Sequence, residues 1–137
     1  MQTDFLDAHD RHWEDAERLF QALRWANADH LYGLAAECGL KRLMMVFGMP
    51  HDTDKGPEES RDRVHANGIW ARFENYRCGH HRGIAYTLPM PNPFQNWDAS
   101  QRYAHQSSFD EKLVQSHKEG AQAVCRLIKK AKQDGVL

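Results

Sequence analysis

Four polar side chains recur along one face of an otherwise apolar segment, residues 24–47, and they are the residues best suited to chemistry in this chain. They follow one another at intervals of three, seven and four residues: Asn27, His30, Glu37 and Lys41. Such intervals place side chains on one face of an α-helix. A histidine beside a carboxylate can act as an oriented general base, because its pKa lies near neutrality and the carboxylate favours the charged ring. We therefore predict His30 and Glu37 as a catalytic pair, with Asn27 and Lys41 as ligand-binding residues.

The same stripe also suits a structural role. An unpaired polar group in a protein interior costs about 1–3 kcal/mol, so polar residues on a central helix are normally paired. Glu37 and Lys41 are four residues apart, which is the spacing of a helical ion pair. His30 could hydrogen-bond to a neighbouring helix in the same network. The sequence leaves both interpretations open.

A second candidate site is the segment 77–93, which is rich in glycine and proline. It carries two arginines and two histidines that we predict as ligand-binding residues: Arg77, His80, His81 and Arg82. Guanidinium and imidazole groups can donate to a phosphate or carboxylate, and glycine lets the backbone approach a ligand. Tyr86 could stack on a base there. The alternative is an ordinary solvated loop.

Histidine could also ligate a metal, since helical bundles hold metal sites between facing helices. His9 and His12 lie one helical turn apart in the first predicted helix. The side chains that could complete such a site are His30, Glu37, His65 and His117. No Glu-x-x-His motif occurs, so we assign no metal ligand and predict no cofactor, and we keep a histidine-ligated bundle as an alternative.

The length, charge and cysteine content of the chain restrict the class of protein to which it can belong. The 137 residues fit one domain, and 18 Lys and Arg against 19 Asp and Glu exclude a strongly basic nucleic-acid-binding protein. Three cysteines without a CxxC motif are typical of a reducing cytoplasm rather than of a disulfide framework or zinc finger. We find neither a secretory signal nor an apolar run of membrane-spanning length, so we predict a cytoplasmic protein with no membrane association.

Hydrophobic periodicity predicts the elements that must position these residues. Four long helices are expected, at about 3–23, 27–47, 60–76 and 108–135. Thr3 is the expected N-cap of the first helix, and Ser108 with Glu111 forms the capping-box pattern at the start of the last. Residues 51–59 read as an exposed loop, 94–103 as a short helix and 83–88 as the only candidate strand. The second helix is apolar on most sides, which is typical of a central helix.

These elements predict a single all-α domain over residues 1–137, an antiparallel up-down bundle of four to five helices. In the order and pattern of its helices, the chain resembles the HEPN domain, a compact helical bundle of bacterial toxin and defence proteins. The segments that carry the resemblance lie in the family's order: DAERLFQAL, ADHLYGLAAECGLKRLM, HANGIW, QRY and HKEGAQAVCRLIKKA. Together they span most of the chain.

The resemblance implies frequent homodimerisation and, in active members, metal-independent RNase activity from an arginine and a histidine separated by four to six residues. Other members only bind or scaffold. The expected position, near the last helix, here reads Arg102-Tyr-Ala-His105, with only two residues between them. Arg24 and His30 have the right spacing but lie on another predicted helix.

We therefore expect a HEPN-like, non-catalytic binding or scaffold module in a bacterial defence or stress setting. Its partner would be nucleic acid, a nucleotide or a protein, and it would form a homodimer in which Trp25 or Trp97 could anchor the interface. The alternative is a metal-independent RNase or hydrolase that uses His30 and Glu37 with a nearby arginine. Whether the chain is an enzyme is left open by the sequence.

Overall fold

The computed structural model describes residues 1–137 and confirms the all-α prediction. It contains four α-helices: α1 (Phe5–Gln21), α2 (Trp25–Val46), α3 (Ala66–Cys78) and α4 (Glu111–Gln133). Short 3-10 helices lie at Ser60–Asp62, Gly83–Ala85, Ala99–Tyr103 and Gln106–Ser108. The strands β1 (His51–Asp52) and β2 (Gly56–Pro57) pair in an antiparallel hairpin. None of the helices is both long enough and apolar enough to cross a bilayer.

Helix α2 is the central element, as its composition predicts, because α1, α3 and α4 all pack against it. Small residues on α2 let its neighbours approach closely. A Cβ at Gly39 would lie 2.5 Å from Val124 Cγ1 of α4 and 2.7 Å from His9 Nδ1 of α1. A Cβ at Gly33 would lie 2.1 Å from Trp97 Cε2. The glycines of α2 are therefore sites of close packing, and Gly33 admits the indole that forms part of the candidate site.

The first helix begins later than predicted. Asp4, not Thr3, is its N-cap, and Asp4 Oδ1 accepts hydrogen bonds from the backbone N–H groups of Leu6 and Asp7 at 3.1 and 3.0 Å. Thr3 instead donates from its backbone N–H and its hydroxyl to the carbonyl of Thr53, at 2.7 and 2.9 Å. The start of the chain is thus tied to the tip of the β1–β2 hairpin.

The start of α4 also differs from the prediction. Asp110 caps the helix by accepting from the N–H of Leu113 at 2.9 Å, so Ser108 and Glu111 do not form the predicted capping box. A capping box is present earlier, where Asp98 caps the 3-10 helix Ala99–Tyr103 and Gln101 Oε1 accepts a hydrogen bond from the backbone N–H of Asp98. The segment before α4 is therefore ordered by local side-chain hydrogen bonds.

The third helix begins later than predicted, and the segment after it contains no strand. Helix α3 begins at Ala66, and His65 stands at its N-cap with an extended backbone instead of on its apolar edge. The candidate strand at 83–88 is wrong, because Gly83–Ala85 is a 3-10 turn and the only strands lie in the predicted loop 51–59. Gly83 contacts the backbone of Arg77 so closely that a Cβ would lie 2.1 Å from the Arg77 carbonyl oxygen, which folds this segment back on α3.

Candidate active site

The centre of the candidate site is the carboxylate of Glu37, in the middle of α2. Its Oε1 accepts a hydrogen bond from Lys41 Nζ at 2.6 Å, and its Oε2 lies 3.1 Å from His65 Nδ1. Glu37 and Lys41 are both buried, whereas 56% of the His65 side chain is exposed. With its Nδ1 turned to the carboxylate, His65 keeps the proton on that atom and leaves the Nε2 lone pair free, the arrangement of an oriented general base.

The Lys41 ammonium compensates the charge of Glu37. A buried carboxylate is tolerated when a cation and further hydrogen bonds satisfy it. Lys41 supplies the cation from one turn further along α2, and its Nζ also lies 5.9 Å from the ring centroid of Phe5 at the start of α1. The predicted ion pair at this spacing is therefore present, and it holds the Glu37 carboxylate in place beneath His65.

His30 lies on the same face of α2 but has a different neighbour. Its ring is stacked on Trp97, with centroids 5.5 Å apart and planes inclined by 11°. Its Nδ1 is buried without a hydrogen-bond partner. Placing the proton on Nε2 is the arrangement that leaves no buried N–H without an acceptor. His30 can therefore act as a neutral hydrogen-bond donor through Nε2.

Burial is the main cause that lowers the pKa of His30. The charges of Arg102 and His65 lower it further, and those of Asp29 and Glu37 oppose them. The ring is consequently neutral at pH 7. His12, on α1, also has a lowered pKa, mainly through burial and Arg11 and to a smaller extent through His30.

Trp97 is shared by both imidazoles. Its ring centroid is 5.5 Å from that of His30 and 6.4 Å from that of His65. The indole is 1% exposed, its Nε1 donates to the carbonyl of Asp29 at 3.1 Å, and the absence of a side chain at Gly33 makes room for it. The site is thus assembled from α2, the N-cap of α3 and the segment before α4, around one fixed aromatic ring.

The structure places the predicted stripe residues in two groups. His30, Glu37 and Lys41 belong to the assembly around Trp97, but the imidazole hydrogen-bonded to Glu37 is that of His65 and not that of His30. Asn27 lies apart from it, exposed, and lines an open cavity of about 510 Å³ between the first turn of α2 and residues 104–107. Neither of the two cavities on the protein includes Glu37, His30 or His65. The catalytic candidates therefore form an open face rather than an enclosed pocket.

The basic loop does not join this site. Arg77 donates from Nε and Nη2 to the Glu74 carboxylate, both at 2.8 Å, and Arg82 donates to the carbonyl of Asp134 at 3.2 Å. His80 packs on Phe47, and the His81 ring is stacked on that of His80. These contacts fasten the end of α3 to the ends of α2 and α4.

Tyr86, which the sequence suggests as a stacking residue, is 2% exposed. It donates to Asp134 Oδ2 at 2.7 Å. Its ring is therefore part of the core and cannot receive a nucleobase.

The histidines that could have ligated a metal do not lie close together. No group of three or more His, Cys, Asp or Glu side chains is placed to hold a metal ion. His9 is buried with its Nδ1 2.7 Å from the carbonyl of Ala35, and His117 is engaged with Asp29. All three cysteines are free, and burial raises the pKa of Cys38 and of Cys125 to about 12.

Two residues of the site could not be singled out from spacing. His65 reaches Glu37 across 28 residues of sequence, and Trp97 reaches His30 across an even longer stretch. Asp29 carried one weak signal, because a carboxylate on an apolar helix requires a partner. That partner is His117, 88 residues away.

Searches against family models, curated proteins and solved structures found no match to this chain.

Proposed function

We propose that the chain is a hydrolase that cleaves a phosphodiester in RNA or a related nucleotide, with His65 as its general base and Glu37 as the carboxylate that orients and stabilises His65. The observation that carries this proposal is the contact of His65 Nδ1 with Glu37 Oε2 at 3.1 Å, combined with the exposure of the His65 ring. A carboxylate that holds an imidazole in one tautomer and stabilises its protonated form is the arrangement used in general-base catalysis.

Anionic substrate is favoured by the cations at this face. Arg102 lies close enough to His30 for its charge to lower the pKa of that ring. Its guanidinium is stacked on the exposed Tyr103, 4.8 Å from the ring centroid, and forms no ion pair with a carboxylate. Arginine binds phosphate oxygens through paired N–H donors. Tyr103 offers an aromatic face to an unstacked base.

The proposed reaction moves one proton and exchanges one P–O bond. The Nε2 lone pair of His65 takes the proton from the attacking hydroxyl or water while its oxygen bonds to phosphorus. Glu37 stabilises the imidazolium that forms. Nε2–H of the neutral His30 and the Arg102 guanidinium donate to the phosphate oxygens. The leaving oxygen takes its proton from a water molecule that the His65 imidazolium reprotonates, which returns the ring to its neutral form.

Replacing His65 tests the proposal directly. We expect His65→Ala to lower kcat/KM on short RNA or dinucleotide substrates by about 10²–10⁴-fold, the contribution of a general base. The melting temperature should change little, since the ring is more than half exposed. His51→Ala is the matched control, because His51 is an exposed histidine in β1, outside both candidate sites. Activity of His65→Ala equal to that of the unmodified protein, or no turnover of any phosphodiester by the latter, would contradict the proposal.

A binding module without catalysis is the second candidate, and the Lys41–Glu37 contact of 2.6 Å favours it. A carboxylate already neutralised by lysine supports a histidine less strongly as a base. In that case the same face would hold RNA, a nucleotide or a protein, in the bacterial defence setting that the HEPN resemblance implies. Fluorescence anisotropy with labelled single-stranded RNA distinguishes the two: binding without turnover, weakened in Arg102→Ala and retained in His65→Ala, identifies a binding module.

A homodimer is part of this second candidate. Trp97 cannot anchor the interface, because it is 1% exposed within the single chain. Trp25 is half-buried and packs edge-on against Phe20, with centroids 5.1 Å apart. Light scattering after gel filtration measures the mass of the particle and so tests the dimer.

A further inference from the structure

A second buried carboxylate lies directly beside the candidate site. Asp29 precedes His30 in α2, and its side chain is fully buried. Its Oδ1 lies 2.6 Å from His117 Nδ1 of α4, and its Oδ2 accepts from Gln101 Nε2 at 2.6 Å. The Asp29 carboxylate is inaccessible to a substrate because it is fully buried. Any role it has in the site must therefore act through the residues it binds.

The residues that bind Asp29 either contact the segment 94–103 or belong to it. His117 passes the contact on, since its Nε2 lies 2.8 Å from Asn96 Oδ1 and its ring is stacked on Phe94 with centroids 5.1 Å apart. Gln101 carries the other branch into the 3-10 helix Ala99–Tyr103. Between the two branches, Trp97 Nε1 donates to the backbone carbonyl of Asp29 itself. One residue of α2 therefore holds this segment at three points.

The segment in turn carries the groups that surround His30. Trp97 is the ring on which His30 is stacked, and it also contacts His65. Arg102 follows Gln101 directly in the chain, so the bond from Gln101 to Asp29 fixes the backbone from which the Arg102 side chain extends. If the Asp29 carboxylate lost these bonds, both the stacking surface of His30 and the neighbouring cation would be free to move.

We propose that Asp29 is a positioning residue, whose buried carboxylate fixes Trp97 against His30, and fixes the 3-10 helix that carries Arg102, through its bonds to His117 and Gln101. The role of His30 in chemistry rests on the function proposed above. The geometry that Asp29 imposes on His30 does not, and it can be measured in a protein with no detectable activity.

The His30 ring reports on this geometry. The groups that act on it come from three sides: Asp29 and Glu37 on α2, His65 at the start of α3, and Arg102 before α4. Burial beneath the segment is the largest cause of its lowered pKa. Release of Trp97 should hydrate the ring, and its pKa should then rise toward the ordinary value of about 6.5. The ring-current displacement of its proton signals by the indole should be lost at the same time.

The experiment is a pH titration of the histidine ring signals by NMR in the full chain, with Asp29→Asn and Gln101→Ala. Tyr32→Phe is the matched control, since it also removes a buried hydrogen bond of α2, from Tyr32 OH to Glu17, but on a side without contact to Trp97. We expect the ring-current displacement of His30 to shrink in both test variants, its pKa to rise in Gln101→Ala, which keeps the Asp29 charge, and both quantities to stay unchanged in Tyr32→Phe. In Asp29→Asn the pKa should rise less, because the lost carboxylate charge itself raised it. If turnover is detected, kcat in the test variants should fall by about 10–100-fold, as expected for a misplaced group.

Unchanged His30 signals in Gln101→Ala and in folded Asp29→Asn would overturn the proposal. The same change in Tyr32→Phe as in the test variants would also overturn it, because the effect would then follow from lost stability alone. Gln101→Ala decides the matter if Asp29→Asn does not fold, since Gln101 is only half-buried. Shifted signals in a protein that cleaves no phosphodiester would uphold the positioning role while contradicting the proposed hydrolase.

Discussion

At the scale of single residues, Glu37 illustrates how burial and function are linked. A carboxylate in the core requires compensation, and Lys41 on one side and His65 on the other provide it. The two partners differ in exposure, because Lys41 is 6% exposed while more than half of the His65 side chain is open to solvent. Lys41 is thus suited to holding the charge, and His65 to meeting a ligand.

Removal of the lysine should therefore destabilise the fold. We expect Lys41→Met to lower the free energy of unfolding by about 3 kcal/mol, since it leaves the buried Glu37 carboxylate without its cation. Urea denaturation measures the change. The double variant Glu37→Gln/Lys41→Met should regain most of the loss because it removes both charges.

An exposed pair gives the control for this comparison. Lys132 lies 3.7 Å from Asp10, and about half of each side chain is exposed. Lys132→Met should change the free energy of unfolding by less than about 1 kcal/mol, as is usual for a surface ion pair. Equal effects in Lys41→Met and Lys132→Met would show that the buried charge of Glu37 does not depend on Lys41.

At the scale of elements, the packing of the segment 94–103 on α2 decides whether the site exists. Local hydrogen bonds of Asp98 and Gln101 shape this segment, and Trp97 packs across Gly33 to hold it against α2. Sequence periodicity located α2 and placed His30, Glu37 and Lys41 on one of its faces, because side-chain spacing within one helix is a local property. It could not indicate that Trp97, far along the chain, stacks on His30.

A methyl group at position 33 should therefore displace the indole. In Gly33→Ala the new Cβ would overlap Trp97 Cε2, and we expect a loss of about 1–3 kcal/mol in the free energy of unfolding together with a red shift of tryptophan fluorescence. Gly68→Ala is the control, because the atom nearest to its Cβ is Val64 Cβ, at an ordinary contact distance of 3.4 Å. That substitution should stabilise the protein by about 0.5–1 kcal/mol, as alanine does within a helix. A stable Gly33→Ala with unchanged fluorescence would mean that Trp97 is not held against α2.

At the scale of the whole molecule, histidine links stability to pH. Burial lowers the pKa of His9, His12 and His30 below the ordinary 6.5 in the folded state. Below about pH 6.5 the unfolded chain therefore binds protons that the folded chain does not, and the free energy of unfolding decreases as pH falls. Each such histidine contributes a slope of up to about 1.4 kcal/mol per pH unit between its unfolded and folded pKa values.

We accordingly expect the urea concentration at the midpoint of denaturation to decrease as the pH is lowered from 7.5 to 5.5. His9→Gln should reduce the slope, since His9 is the most buried of the three rings. Asp98 and Asp134, whose pKa values are lowered by hydrogen bonds, add acid destabilisation only near and below pH 3.8, outside this window. Measurements in two buffers at constant ionic strength control for the buffer. A midpoint that does not fall over this range would contradict the burial of these rings.

The helical class, the central place of α2 and the ion pair of Glu37 with Lys41 could all be predicted from the sequence, because each depends on residues within a few turns of one another. Which imidazole contacts Glu37, which ring stacks on His30 and what Asp29 binds became evident from the fold alone. These contacts join residues 28 to 88 positions apart, or lie in segments without regular periodicity. Their pairing follows from how the loops and the N-cap of α3 pack on α2, and residue spacing along the chain holds no record of that packing.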